Sequence, residues 1–173
     1  MLARFLASHP LLRVKCNALE DNENADIRLR VSRLGLPAPL FTIEFAGTAL
    51  DRATFTRFFD CLEPAFGHQV SLGQSNTVVL CPALTSHSEM GAEELLEAGI
   101  SPTTIRIAVG GEDPRQLIAH FVRVAEMVIN PLHPGFTEAF MRPEAVDELY
   151  RRTYLDVHAR WLEAQPSTQE LLR

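Results

Sequence analysis

The chain has 173 residues, of which 46% are hydrophobic and 22% charged, a composition typical of a globular protein large enough to bury a core. Its formal net charge of −6 leaves no basic surplus, which argues against a nucleic-acid partner or an anionic membrane surface. No apolar run approaches the roughly 20 residues of a membrane-spanning helix, and the first residues do not form a secretory signal, so we expect a cytoplasmic protein.

The cysteines and the single lysine narrow the possible chemistry. Cys16, Cys61 and Cys81 are far apart and form no C-x-x-C pair, which indicates reduced thiols rather than a disulfide framework or a metal site. Lysine occurs once, at Lys15, and the other basic residues are arginines. A reaction that needs a lysine nucleophile must therefore use Lys15 or a lysine of another polypeptide.

The first half of the chain predicts helices and short strands in alternation. In chain order, the spacing of its apolar residues predicts a helix at 1–9, a strand at 11–16, a short helix at 26–34, a strand at 40–46 and a helix at 49–63. The strand at 40–46 alternates apolar and polar residues, which is typical of a half-buried strand. The helix at 49–63 carries phenylalanines at helical spacing, and this stripe favours core packing over a ligand platform.

The second half predicts further strands at 68–73, 77–82 and 104–109, and helices at 89–98, from 114 onward and from 143 to 163. A turn-like G-Q-S-N between the first two of these strands predicts a tight connection. Together the elements predict an α+β fold in which a mainly antiparallel sheet of about four strands has helices packed on one face. The last helix forms a C-terminal helical extension.

The strand at 104–109 carries Arg106 between Ile105 and Ile107. Because side chains in a strand alternate between its two faces, both isoleucines point toward the helices and Arg106 points away from them. A guanidinium is a planar fork of donors that matches a carboxylate. The residues alone leave two interpretations open, an anchor for a ligand carboxylate or a structural ion pair with a glutamate such as Glu44.

Two longer segments in this region have a recognisable order: S-L-G-Q-S-N-T-V-V-L-C-P-A-L-T-S-H-S at 71–88, then A-G-I-S-P-T-T-I-R-I-A-V-G-G-E-D-P-R-Q-L-I at 98–118. Together they resemble the C-terminal domain of the Cys/Met-metabolism enzymes that use pyridoxal phosphate (PLP), such as cystathionine γ-synthase, cystathionine lyase, methionine γ-lyase and O-acetylhomoserine sulfhydrylase. The resemblance covers roughly residues 1–129 and implies the small domain of a fold-type I PLP enzyme. Residues 130–173 then form a linker and an amphipathic helix extension.

The resemblance also implies roles for individual residues. Arg106 matches the arginine that binds the α-carboxylate of the amino-acid substrate, and Ser71 matches the serine beside it. Val70 stands at the position that tunes side-chain specificity in the family. Thr85 and His87 lie in the family's turn and are further candidates, with a structural, hydrogen-bonded turn histidine as the alternative role for His87.

The cofactor implied for the complete enzyme is PLP, carried by a larger domain with a Schiff-base lysine and a phosphate cradle. The family's S-x-T-K-type segment and a glycine-rich phosphate loop are absent from these 173 residues. Lys15 lies in R-V-K-C-N and does not match the cofactor lysine, so we expect this chain to hold no PLP covalently. The implied partners are a PLP-binding large domain, as a missing segment or a separate chain, an amino-acid substrate, and further copies in a homo-oligomer.

Two functions follow as hypotheses. In the first, the chain is the C-terminal domain of a PLP enzyme that performs β- or γ-elimination or γ-replacement on sulfur amino acids or O-acyl-homoserine, and it is inactive alone. In the second, it is a freestanding, non-catalytic module that binds amino acids or serves as an assembly partner.

Overall fold

The computed structural model describes residues 1–46 and 50–167. The helices are α1 (Leu2–Ala7), α2 (Ala25–Val31), α3 (Arg52–Asp60), α4 (Ala92–Glu97), α5 (Pro114–Val128) and α6 (Pro143–Glu163). The strands are β1 (Leu12–Lys15), β2 (Leu40–Phe45), β3 (Gly67–His68), β4 (Val78–Leu80) and β5 (Ile105–Ala108). The predicted helix at 143–163 agrees with α6 at both ends, and most other predicted elements are a few residues longer than those observed.

The strands form one sheet in the order β1-β2-β5-β4-β3. Neighbours pair in antiparallel fashion along β1, β2, β5 and β4, and only β3 pairs in parallel, with β4. This arrangement confirms the α+β class and the mainly antiparallel sheet. The sheet has five strands rather than about four, since the two-residue β3 is added at one edge.

The predicted strand at 68–73 is wrong over most of its length. Only Gly67 and His68 pair with β4, and they run parallel to it, so no tight hairpin joins the two strands. Residues 69–76 are irregular and exposed. An alternating sequence forms a strand only where one face is buried, and here neither face of residues 69–76 is.

The core lies between the sheet and helices α1, α3 and α5. On the sheet, Ile43, Ile105 and Ile107 are buried on the face toward these helices. The phenylalanine stripe of α3 packs in the same cluster, as the sequence predicts; its members are Phe55, Phe58 and Phe59. The core residues of β2 and β5 alternate with outward-pointing ones, so the strand that carries Arg106 is held firmly from one side.

Carboxylate caps set the starts of α3 and α5. The Asp51 carboxylate accepts hydrogen bonds from the Thr54 backbone N–H (2.9 Å) and hydroxyl (2.8 Å). Asp113 accepts from the Arg115 N–H (2.9 Å), with Pro114 at the first helical position. Because Asp51 is the cap, α3 begins after the predicted start at residue 49, which itself lies outside the described residues.

The segment after residue 129 packs into the same core. Phe136 and Phe140 are buried and belong to the main hydrophobic cluster, as does Val146 at the start of α6. The ring of Phe140 stacks on Phe5 of α1, with 4.9 Å between centroids. The division between 1–129 and 130–173 stays a prediction, but the apolar contacts across it are continuous.

His9 links this segment to the beginning of the chain. It is 1% exposed, and its ring centroid lies 4.1 Å from that of Phe136 and 4.5 Å from that of Phe140. Its Nδ1 accepts from the Leu11 backbone N–H at 3.1 Å. The proton of the neutral ring therefore sits on Nε2, which donates to the Phe136 carbonyl at 2.9 Å.

Burial lowers the pKa of His9 below its ordinary value of 6.5, and the hydrogen bond to the Phe136 carbonyl offsets only part of that effect. The folded state then binds a proton less readily than the unfolded state. Stability from neutral His9 is fully present above the ordinary pKa and is lost as pH falls through the lowered folded pKa.

Among the residues that the structure describes, no helix is both long and apolar enough to cross a membrane. Over the same residues, no three His, Cys, Asp or Glu side chains form a group that could hold a metal ion.

We expect acid to destabilise the wild-type protein more than the His9→Gln variant, because only the wild type must bury a protonated imidazole. Each unit by which the pKa is lowered removes about 1.4 kcal/mol of unfolding free energy at low pH. Urea unfolding at about pH 7.5 and about pH 5.5 measures the difference. The exposed His158→Gln is the control and should keep the wild-type pH dependence; equal slopes for all three proteins would contradict the expectation.

Candidate functional site

Arg106 lies in the middle of β5 on the sheet face away from α1, α3 and α5. Its strand neighbours are Thr42 on β2 and Leu80 on β4. One terminal nitrogen, Nη2, donates to the Val70 carbonyl at 2.8 Å. The Nε atom is buried and has no hydrogen-bond partner among the described residues. The guanidinium is thus oriented by a neutral backbone group and keeps unused donors.

The alternative interpretation, an ion pair with Glu44, is not what the structure contains. Glu44 pairs with Arg13, at 3.6 Å between Nη1 and Oε1. The two lie opposite each other in the antiparallel ladder between β1 and β2, whereas Arg106 lies opposite Thr42. Within the described part of the chain, no salt bridge involves Arg106.

We call this side of the sheet the outer face; it carries Arg13, Lys15, Thr42, Glu44 and Arg106. Lys15, Thr42 and Arg106 lie in one row across β1, β2 and β5. Neighbouring strands are about 4.8 Å apart, so Lys15 and Arg106 stem from backbones about 10 Å apart. The outer face therefore favours an anion beside Arg106, since its one carboxylate, Glu44, is already paired.

Val70 and Ser71 lie at the beginning of the irregular stretch 69–77. Both are exposed, and Val70 is 66% accessible while its carbonyl binds Arg106. The predicted residues Arg106 and Val70 are therefore brought together, with the backbone of Val70 rather than its side chain making the contact. Ser71 is adjacent through the chain.

Thr85 and His87 lie in the turn that follows β4. The Thr85 hydroxyl donates to the Cys81 carbonyl at 2.8 Å, and the His87 Nδ1 contacts the Ser86 hydroxyl at 2.8 Å. A cavity of about 360 Å³ beside the sheet edge is lined by both Thr85 and Val70. Thr85 and Val70 thus line the same cavity together with residues of α3, Arg106 does not line it, and His87 has a local partner in its own turn.

The segment after β5 clamps the far end of the 69–77 stretch. Thr77 is fully buried, and its N–H and hydroxyl donate to the two carboxylate oxygens of Glu112, at 2.6 and 2.8 Å. The same hydroxyl accepts from the Gly110 N–H at 2.9 Å, and the Gly111 N–H donates to the Ser75 carbonyl at 2.8 Å. We call Thr77, Gly110 and Glu112 the clamp.

The carboxyl group of Glu112 is ionised in the clamp. Burial alone would raise the pKa of Glu112, but the hydrogen bonds from the Thr77 N–H and hydroxyl outweigh it and hold the pKa below its ordinary value. The carboxylate is therefore charged at neutral pH, and both of its oxygens accept hydrogen bonds. Charge-assisted hydrogen bonds of this kind are roughly twice as strong as neutral ones.

Gly110 and Glu112 lie within the segment 98–118 that carries the family resemblance, but the sequence alone assigns neither residue a role. A Cβ built on Gly110 would lie 2.5 Å from both the Ser75 carbonyl oxygen and the Thr77 nitrogen, so only glycine fits there. Glu112 binds a residue 35 positions away in the chain. The glycine directly after a strand was the available signal for a close backbone approach.

The comparisons with known proteins agree with the resemblance. A family model described as Cys/Met metabolism PLP-dependent enzyme matches residues 1–124. The homocysteine synthase of Schizosaccharomyces pombe is 28% identical over 127 residues, which are 73% of this chain and 28% of that protein. The L-methionine gamma-lyase of Pseudomonas deceptionensis is 34% identical over 87 residues, 50% of this chain and 21% of that protein.

Solved structures give the same result. A protein of Campylobacter jejuni assigned as an O-acetylhomoserine (thiol)-lyase, crystallised with N'-pyridoxyl-lysine-5'-monophosphate, has a TM-score of 0.61 at 30% identity. The match covers 72% of this chain and 29% of that one. A cystathionine gamma-lyase of Micromonospora echinospora has a TM-score of 0.60 at 28% identity, with 72% and 31% covered. The chain spans less than a third of the length of these relatives.

The described residues do not fit a covalently bound PLP. Lys15 is exposed on the edge strand β1, opposite Thr42, and does not line the cavity beside Val70. A helix N-terminus can bind a phosphate, but Asp51 and Asp113 already occupy the first turns of α3 and α5 with their own carboxylates. No step that involves the cofactor is therefore assigned to these residues.

We expect Gly110→Ala to lower the unfolding free energy by roughly 1–3 kcal/mol, because the added methyl group must displace backbone atoms of residues 75–77. Gly111→Ala is the matched control, since a Cβ there meets only the Ser75 oxygen at 3.7 Å. Its effect should stay within about 0.5 kcal/mol. Urea unfolding of both variants measures the contrast, and equal stabilities would contradict the close approach at Gly110.

Proposed function

The chain belongs to the Cys/Met metabolism family of PLP-dependent enzymes, and from that membership we propose that residues 1–129 act as the C-terminal, substrate-binding domain of such an enzyme. Arg106 binds the α-carboxylate of the amino-acid substrate. A lysine-bearing polypeptide region supplies the PLP site, as another segment or as a separate chain. Further copies of the assembly complete a homo-oligomer.

The observation that carries the proposal is the state of the Arg106 guanidinium. It is held by the Val70 carbonyl, has no carboxylate partner in the described part of the chain, and has a buried Nε without a hydrogen bond. A buried donor left unsatisfied costs about 1–3 kcal/mol. A ligand carboxylate that accepts from Nε and a terminal nitrogen removes this penalty and forms a bidentate pair.

Neighbouring residues have distinct proposed roles. Ser71, next to the Val70 carbonyl, binds the same carboxylate. Val70, whose carbonyl binds Arg106, contacts the substrate side chain, and Thr85 is a further candidate for that contact. His87 stabilises its turn through Ser86. These groups hold and orient the substrate, which is how this domain contributes to the rate.

The reaction class comes from the relatives. Their names include homocysteine synthase, O-acetyl-L-homoserine sulfhydrylase and L-methionine gamma-lyase. These are replacement and elimination enzymes that act on amino acids with an α-carboxylate. We therefore assign the complete assembly to β- or γ-elimination or γ-replacement on sulfur amino acids or O-acyl-homoserine.

A second candidate is a freestanding, non-catalytic module that binds amino-acid carboxylates or serves as an assembly partner. The observation that favours it is the poor fit to PLP: an exposed Lys15 and two helix N-termini filled by Asp51 and Asp113. Both candidates use Arg106 in the same way. They differ in whether a lysine-bearing region turns binding into reaction.

A spectroscopic and activity test separates the candidates. We expect the chain mixed with PLP to give no absorbance band of lysine-bound cofactor. Joined to the lysine-bearing region of the Campylobacter jejuni relative, it should eliminate or replace the substituent of an amino-acid substrate. The same relative region without this chain is the control. A PLP-loaded hybrid that binds an amino acid but never turns it over would support the non-catalytic module.

In an active assembly, Arg106→Ala should raise KM for the amino acid by a factor that corresponds to about 2–5 kcal/mol, because the carboxylate loses its charged partner. Arg106→Lys should be intermediate, since a lysine cannot form the bidentate pair. The control is Arg13→Ala, an arginine on the same outer face, which should change KM by about twofold or less. An unchanged KM in Arg106→Ala would remove Arg106 from the substrate site.

A further inference from the structure

Glu112 is connected to Arg106 through hydrogen bonds and the backbone of residues 67–70. Thr77 gives its N–H and hydroxyl to Glu112, and its own carbonyl accepts from the Gly67 N–H at 3.0 Å. Glu112 therefore fixes the residue that aligns β3 with β4. The contact is inside the protein, because Thr77 is 0% exposed.

From β3 the series continues to the guanidinium. Two residues after Gly67, the Gln69 N–H donates to the Val79 carbonyl at 3.2 Å, which holds the chain beside β4 just after β3 ends. The carbonyl of the following residue, Val70, accepts from Arg106 at 2.8 Å. The position of this carbonyl thus depends on the alignment of β3.

Arg106 and Glu112, the two ends of this series, belong to one segment of the chain. Arg106 lies on β5, and Gly110 and Glu112 follow directly after it. The 69–77 stretch is consequently tied to the β5 segment near both of its ends, at Val70 and at Ser75 and Thr77. Loss of the Glu112 hydrogen bonds weakens the attachment at one end of this exposed, irregular loop, where only the bonds from Gly110 and Gly111 remain.

We propose that Glu112 is a positioning residue that acts through Thr77 and β3 to hold the Val70 carbonyl and so orients the Arg106 guanidinium for the substrate carboxylate. Its relevance to substrate binding rests on the function proposed above. A carboxylate anchor must be held close to its productive geometry, and supporting hydrogen bonds are what hold it there. Glu112 itself need not touch the substrate.

The competing role is stability alone, and the chain provides a matched control for it. Asp51 accepts from the N–H and hydroxyl of Thr54, the same two donor groups that Glu112 receives from Thr77. Asp51 begins α3, whose described residues make no hydrogen bond to the 69–77 stretch; the Phe59 carbonyl contacts His68 of β3. Asp51→Asn and Glu112→Gln therefore make the same chemical change: each replaces, with an amide, a carboxylate that accepts two hydrogen bonds from one threonine.

The first measurement uses the 173-residue chain without substrate. The Nε–H signal of Arg106 is assigned by its loss in Arg106→Lys, and its ¹⁵N–¹H heteronuclear NOE reports guanidinium mobility. We expect Glu112→Gln and Thr77→Val to lower this NOE, and Thr77→Ser, which keeps the hydroxyl, to restore it. Asp51→Asn should leave it at the wild-type value.

The second measurement uses the active assembly. Glu112→Gln should raise KM for the amino acid about tenfold with kcat changed by less than about twofold, because the anchor is misplaced rather than removed. Asp51→Asn should change neither. An Arg106 NOE and a KM that stay at wild-type values in Glu112→Gln, while both variants unfold more easily, would overturn the positioning role.

The two measurements also separate this inference from the function on which it rests. Failure of Arg106→Ala to change KM contradicts the substrate role of Arg106, whatever the NOE in Glu112→Gln. A large effect of Arg106→Ala together with an unchanged Arg106 NOE in Glu112→Gln contradicts the positioning role alone.

Discussion

The attachment of the 69–77 stretch to the β5 segment is the constraint on which the site depends. An exposed, irregular stretch has few contacts of its own, so its geometry comes from the groups that bind it. The N–H, hydroxyl and carbonyl of Thr77 are all hydrogen-bonded. Gly110 packs directly against the backbone of residues 75–77, which fixes the position of that backbone. The Val70 carbonyl is placed as a consequence, and with it the Arg106 guanidinium.

Partner choice within the sheet explains why Arg106 remains available. In an antiparallel ladder a side chain contacts the residue directly opposite. Glu44 therefore lies opposite Arg13, and Arg106 lies opposite Thr42 and Leu80. Neither of those two side chains is charged. A neutral carbonyl can orient a guanidinium without neutralising it, so the positive charge is retained for a ligand.

The sequence predicted those features that depend on local periodicity. Alternation along β5 placed Arg106 on the outer face, and α6 had the predicted bounds because its apolar positions and Pro143 define a long helix. Register and long-range contacts were not predictable in this way. The choice between Glu44 and a free guanidinium depends on which residue lies opposite Arg106, and the role of Glu112 depends on a contact with Thr77, distant in the chain. The parallel β3 was missed for the same reason, since nothing in the alternation at 68–73 reveals that the stretch stays exposed.

The family match ends at residue 124, but the packed core does not. Phe136 and Phe140 enclose His9, whose two ring nitrogens are both hydrogen-bonded, and Phe140 stacks on α1. Because a buried imidazole without partners would be costly, the chain after α5 must follow a defined path to satisfy it. The same physical rule therefore operates in both regions of the protein: a buried polar group, Thr77 in the site and His9 in the core, fixes the path of a segment whose own sequence does not define a regular structure.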